Sequence, residues 1–491
     1  MSPVQSLPGL VSAPVMHTFF FYDLETSGRD PRWHRILQFA GIRTNADLEP
    51  VGEPVSIDVR LDPEVIPEPE ACLITGLTPQ RVAHGIDESA LFQRIAAEFG
   101  RPRTCVAGFN NLRFDDEFVR YGFWRNLRDP YAREWQGGNS RWDVIDLARM
   151  AAALRPEGMV WPRVDDRISF RLEDLARAND IAQERAHDAT SDVLATLGLA
   201  QALRRAQPKL FDYHLSLRSK QQVATIVGRP LRQALLHVSA RHAAASQRVA
   251  LVTPVATHPV NRNAVILADL GANLAPLAEL DAQALAAALF KPAAERNGAP
   301  PIPLHEIALN KLPAVAPLGV LQDADSERLG LDVEAALERL AWLREVPGLE
   351  RRVRDAYGIR QRPGVADVDG ALYDGFLPDA DRRTLNELAG AKVADLMQPP
   401  PLQDERAQEL LFRYLARRHP DALDADGRAR WQAHLSDRLL HGRDGMADLD
   451  TARARLRSLA GEGADAAILS ELEAWLDHCA AQLGAVDGAE A

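Results

Sequence analysis

Cysteine is nearly absent from this 491-residue chain: Cys72, Cys105 and Cys479 are scattered, odd in number and form no C-x-x-C pair. That pattern excludes a disulfide framework and a cysteine-based zinc site, and it makes a reducing cytoplasm the expected compartment. Long apolar runs are also missing, and without a stretch of ~18 apolar residues no membrane-spanning helix is expected. The first 16 residues, "MSPVQSLPGLVSAPVM", lack the Lys/Arg n-region of a signal peptide and read as a disordered lead-in. No internal repeat of fixed period occurs. Positive charge is in deficit, 57 Lys+Arg against 69 Asp+Glu for a net charge of −12, which on average disfavours a polyanionic partner.

What is present is the composition of a soluble globular protein, 46% hydrophobic and 26% charged. At ~150 residues per domain the length suggests about three domains, and the chain is expected to be monomeric. Residues 17–205 alternate strand and helix patterns and predict an α/β sheet domain. "TFFFYDLET" reads as a strand, "ILQFAGIRTNADLEPV" as a strand pair turning at "TNAD", "EPVSIDVRL" and "TCVAGFN" as further strands. "ESALFQRIAAEFG", "NLRFDDEFVRYGFWRNL", "SFRLEDLARAND" and "HDATSDVLATLGLAQALRRA" carry helical spacing. From 208 to 360 short β-like segments dominate, which predicts a small barrel followed by the helix "VEAALERLAWLREV". The Pro/Gly break "RQRPGVADVDG" precedes amphipathic helices over 365–485, an all-α domain. The deficit of positive charge is uneven. Between 201 and 262, ten Lys/Arg stand against the single acid Asp212, which favours a surface that faces a polyanion.

The stretch "FFFYDLETSG" raises a question of charge. In a strand Asp23 and Glu25 share one face while Leu24 turns to the other. Buried carboxylates are costly unless paired or bound to a metal. "GFNNLRFDDEF" adds Asp115 and Asp116 at a helix start, and "RAHDATSD" adds His187 and, five residues on, Asp192. Singly these have ordinary readings: acids at the positive end of a helix dipole, Asp188 as an N-cap, His187 as a structural histidine. Together, D-x-E, F-D and H-x-x-x-x-D in that order are the signature of DEDDh 3′→5′ exonucleases. Oxygen ligands suit hard divalent ions, and two such ions stabilise both attacking and leaving oxygens of an in-line displacement. A histidine titrating near neutrality can take a proton from the attacking water.

With "ITGLTPQ", "NSRWDVIDL", "ALRPEGMVWP", "PKLFDYHL", "HPVNRNAVI" and "LYDGFLPDADR", the chain from about 17 to 485 resembles the bacterial exodeoxyribonuclease I family. The resemblance implies a ribonuclease-H-like exonuclease domain, a small SH3-like β-barrel and an all-α C-terminal domain. It implies processive 3′→5′ degradation of single-stranded DNA to 5′-mononucleotides, with a role in DNA repair. Asp23, Glu25, Asp115 and Asp192 match the ligands of two Mg²⁺ (or Mn²⁺) ions, and His187 the general base. Asp116 is the adjacent rival of Asp115, and Asp188 is treated as a cap. Substrate contacts fall on Glu25, Arg171, Arg120, Tyr131, Trp135 and Arg149. Arginines neutralise phosphates and aromatic rings stack on bases of any identity, although a core position is the other reading of Trp135. The family also binds the acidic C-terminal tail of single-stranded DNA-binding protein. No motif locates that pocket, for which Arg232 and Arg344 are candidates. An RNA-directed DEDDh exonuclease and a non-catalytic DNA-binding module on a nuclease fold are the rival readings; proofreading within a polymerase lacks a polymerase segment.

Overall fold

The computed structural model describes residues 18–183, 187–359, 364–442 and 445–483. The lead-in expected over 1–16, the tail after 484 and part of the Pro/Gly break near 360 lie outside the described residues. The chain forms two compact units. Residues 18–140, 187–194 and 364–483 supply the described parts of one, with Gln183, and residues 141–182 and 195–359 those of the other.

The first unit is organised by β1 (Thr18–Thr26), β2 (Ile36–Thr44), β3 (Val55–Asp58) and β4 (Thr104–Gly108), in the order β3-β2-β1-β4. β1 runs antiparallel to β2 and parallel to β4. Its alternation separates two faces. Phe20, Tyr22 and Leu24 enter a core with Phe39, Phe92 and Phe99, which leaves Phe19, Phe21, Asp23 and Glu25 on the opposite face. Helix Glu88–Phe99 packs into that core, started by Asp87, whose carboxylate accepts from Ala90 N. Helix Asp115–Arg125 turns Tyr121 and Trp124 into a second core with Leu385, Leu410 and Tyr414 of the C-terminal helices. Each such fully buried large side chain contributes roughly 1.5–3 kcal/mol.

Within this unit a charged seam lies under the C-terminal helices. Glu64 accepts from Arg417 Nε at 2.8 Å and lies 3.2 Å from His434 Nε2, while Asp369 accepts from Arg417 Nη2 at 2.6 Å and Arg438 Nη1 at 3.0 Å. Burial pushes both carboxyls up, but the surrounding arginines, Arg417 foremost, hold them well below the usual carboxylate range.

β5 (Ser140–Asp143) carries the chain from the first unit into the second, which includes a short hairpin of β6 (Arg163–Val164) and β7 (Arg167–Ile168). Its main sheet is antiparallel: β8 (Leu235–Val238), β9 (Val249–Thr257), β10 (Ala264–Asp269), β11 (Leu304–Ala308) and β12 (Ala314–Pro317), ordered β11-β10-β9-β8-β12. Two strands separate β8 from β11, yet the rings of His237 on β8 and His305 on β11 stack with centroids 5.1 Å apart. That contact requires the sheet to curl on itself, as in a small barrel. Burial, with His242 and Arg241 adding to it, pushes His305 down to about 3, and burial also lowers His242.

Several elements differ from expectation. The partner strand foreseen after "TNAD" shrinks to a single bridge, Thr44↔Pro50. The helix within "SFRLEDLARAND" is only Leu172–Ala178. Helices, not strands, fill much of 208–360: Pro208–Ser216, Lys220–Val227, Ala282–Leu289 and Leu349–Ile359 among them. Their caps decide this, with Pro at the first turn of one and Ser219 and Asp281 accepting backbone N–H groups in two others. Helix Val144–Leu154 was not foreseen because all of its residues are buried, so its sequence shows no polar face. No helix among the described residues is long and apolar enough to cross a membrane.

Candidate active site

The acids gather at the carboxyl end of β1. Pairing with β4 runs from Thr18↔Thr104 to Phe21↔Ala107, so Asp23 lies two residues farther along, where open α/β sheets leave a crevice. Glu25 sits opposite Gln38, and the register slips immediately after it, a bulge of the kind found beside functional sites. Beyond β4 the chain folds back so closely that a Cβ on Gly108 would lie 2.9 Å from the Tyr22 carbonyl oxygen. Glycine there lets the turn through Asn111 deliver the start of helix Asp115–Arg125 to β1.

The paired acids of that helix take different environments. Asp116 accepts from Tyr22 Oη at 3.0 Å and from Arg133 Nη2 at 2.7 Å, and it is fully buried. Asp115 acts instead on Asp23. Burial first, then the charges of Asp115, Glu25, Asp192 and Asp188, push the Asp23 carboxyl well above its ordinary value. Burial, Asp192 and Asp188 push Glu25 up to about 8.

The last segment enters through helix Ala189–Ala206. Asp188 caps it, accepting from Ser191 N at 3.1 Å. Asp192 Oδ1 accepts from Gln183 Nε2 at 2.6 Å, and its Oδ2 from the His187 backbone N at 3.3 Å. His187 itself adopts φ 62° and its side chain is exposed. Ligand atoms of Glu25, His187 and Asp192 all lie within 4.8 Å of one another. The structure therefore brings Asp23, Glu25, Asp115, His187 and Asp192 into one cluster within the first unit. Their charge repulsion is the condition a divalent cation relieves, and a set of hard oxygens with one imidazole suits such an ion.

The expected substrate contacts are more dispersed. Trp135 is 67% exposed. Tyr131 is half-buried, edge-on to Phe376 and 5.5 Å below the Arg120 guanidinium. Arg120 is buried and bonded to Glu134 at 2.7 Å and Glu117 at 2.9 Å. Arg149 and Arg171 belong to the second unit. Arg149 is buried beside Asp146 at 2.9 Å, and Arg171 is exposed in an ion pair with Glu173. Arg344 donates to the backbone carbonyls of Leu231 and Arg232.

Sequence reasoning missed two glutamines. Gln38 Oε1 accepts from Ala189 N at 3.2 Å and ties β2 to the helix that carries Asp192, while Gln183 holds the Asp192 carboxylate directly. Gln38 is marked only by the strand register that sets it opposite Glu25; nothing in the sequence marks Gln183.

Comparison with known proteins covers the whole architecture. Residues 20–200 match the family model described as Exonuclease, 218–359 the Exonuclease I SH3-like domain, and 366–479 the Exonuclease I C-terminal domain. The chain is 40% identical over 424 residues to exodeoxyribonuclease I of Escherichia coli (strain K12), spanning 85% of this chain and 89% of that protein. It resembles a solved, moderately thermophilic exonuclease I from Methylocaldum szegediense (TM-score 0.89, 42% identity, 95% and 99% of the two chains). It also resembles the zinc ion bound form of an E. coli exonuclease I–single-stranded DNA complex (TM-score 0.89, 37% identity, 96% and 100%).

Proposed function

Because this chain belongs to the exodeoxyribonuclease I family, we propose that it degrades single-stranded DNA processively from the 3′ end to 5′-mononucleotides, with Asp23, Glu25, Asp115 and Asp192 holding two divalent cations. The observation that carries this reading is the cluster of carboxylates in which burial and the neighbouring acids raise Asp23 and Glu25 toward the protonated state. Mg²⁺ is the natural occupant, with Mn²⁺ an alternative, and when bound such a pair stabilises the attacking and leaving oxygens of an in-line displacement. Asp115 rather than Asp116 is assigned to the set, since Asp116 is neutralised by Arg133.

His187 takes a proton from the attacking water as the water oxygen bonds to phosphorus. The bond from phosphorus to the 3′ oxygen of the penultimate nucleotide breaks. That oxygen gains a proton, and the terminal nucleotide leaves with its 5′-phosphate. The exposed position of His187 returns its proton to solvent. The backbone N–H of the same residue keeps Asp192 oriented. Glu25, Arg171, Tyr131 and Trp135 contact the strand. Arg120 supports the Tyr131 ring from above, and Arg149 lies 5.9 Å over the ring of Phe170, the neighbour of Arg171.

The reading extends to a monomeric cytoplasmic protein of DNA repair, divided for function into 17–205, 208–360 and 365–485, whose second partner is the acidic tail of single-stranded DNA-binding protein. The test is digestion of 3′- and 5′-labelled single strands, duplexes and matched RNA, with and without EDTA. Stepwise loss of 3′ nucleotides from single-stranded DNA alone, blocked by EDTA, is expected. Cleavage of RNA at equal rate, or 5′ degradation, overturns it.

A further inference from the structure

The barrel holds a second convergence of ligand groups, remote in sequence from the acids. His237 on β8, His242 in the turn after it and His305 on β11 are all buried, and one ring nitrogen of each lies within 4.8 Å of the other two. His237 Nδ1 is 2.9 Å from His242 Nε2 and 3.1 Å from His305 Nε2. A ring nitrogen carries either one proton or one lone pair. His237 Nδ1 therefore cannot complete a full hydrogen bond with both neighbours at once. Three neutral imidazole nitrogens gathered this closely are instead what a tetrahedral metal ion accepts. With metal–nitrogen bonds of about 2.0–2.1 Å, ligand nitrogens stand ~3.3 Å apart. The two close separations need to widen by only a few tenths of an ångström.

From this geometry we propose that His237, His242 and His305 form a zinc site that cross-links β8 and β11 of the barrel. Imidazole is the ligand of borderline ions such as Zn²⁺ and Co²⁺, in contrast to the carboxylate set of the first unit. His242 and His305 line a cavity of about 880 Å³ together with Arg241, Asp269 and Glu306. A water from that cavity completes four-fold coordination. Asp269, whose charge already acts on His242, supplies counter-charge against the ion and Arg241. The role is structural: the ion joins two strands that are not neighbours in the sheet. It does not depend on the nuclease reading.

The experiment strips the full chain with chelator and reloads it with one equivalent of Zn²⁺ after Asp23→Ala has weakened the acid cluster. Zinc X-ray absorption then reads the ligand shell, and metal analysis after gel filtration reads the stoichiometry. One retained zinc per chain with three imidazole nitrogens near ~2.0 Å, and a higher melting temperature than the stripped protein, is the expected result. The double substitution His242→Ala/His305→Ala should lose the retained zinc. Zinc that washes out, or that shows a shell of oxygens only in the Asp23→Ala protein, overturns the proposal whether or not the double variant folds.

Discussion

Two groups of carboxylates are buried in the first unit, and they are handled in opposite ways. Glu64 and Asp369 are enclosed by Arg35, Arg413, Arg417 and Arg438, with Arg417 bonded to both acids. Their protons are held off, and the seam is electrically closed. Asp23 and Glu25 meet other acids, and their pKa values move the other way. The same fold thus contains a finished ion-pair network and a cluster whose dominant electrostatic neighbours are all acidic. A protein that can place four arginines around Asp369 is capable of doing so around Asp23. Leaving the second cluster acidic keeps its carboxylates in mutual repulsion, the condition that a bound cation would relieve.

The largest test of that contrast is Asp23→Ala, which should abolish nucleotide release while the protein stays folded; retained turnover in purified variant would remove Asp23 from the site. His187→Ala should lower kcat by ~10²–10⁴-fold, the range for loss of a general base, with single-stranded DNA affinity nearly unchanged. If affinity falls as far as kcat, the residue binds rather than transfers protons. On the closed side, Asp369→Ala strands several arginines and should cost ~3–5 kcal/mol in chemical denaturation while activity per folded molecule persists. A neutral outcome would overturn the reading of the seam as a closed ion-pair network.

pH sharpens the comparison further. Glu25 is raised from 4.5 to about 8, so the folded state binds its proton more tightly than the unfolded chain does. Without metal, this group's stabilising contribution should fade as pH climbs through that window, and Mg²⁺ should flatten the slope. Glu64 and Asp369 are lowered, so their contribution is intact above the normal carboxylate range and is lost only as pH falls below it. Melting curves from ~pH 2 to ~pH 9, with and without Mg²⁺, separate the two signs. The smallest effect is expected for Gln38→Ala. It removes the bonds to Ala189 N and to Asp58 and should lower kcat several-fold without lowering the unfolding free energy by more than the ~1–2 kcal/mol of two hydrogen bonds.

The acid cluster was legible because its chemistry needs rare residue types in fixed order: acids on an aromatic strand and at two helix starts. The three-part architecture was legible from the resemblance and from patterning, since the amphipathic C-terminal helices advertise their faces. The helices of 208–360 were hidden by their shortness, and Val144–Leu154 by burial on every side. The charged seam could not be read at all. Glu64 and Arg417 lie 353 positions apart, and nothing local in either segment announces the other.

The neighbouring acids Asp115 and Asp116 carry one more consequence. Successive residues of a helix point ~100° apart, so one step of chain decides which carboxylate meets Arg133 and which meets Asp23. The turn over 109–114 therefore acts as a phase setting. Shortening it by a single residue would move Asp116 into the place of Asp115 and Glu117 into the place of Asp116, so that a longer side chain would have to meet Arg133 and Tyr22.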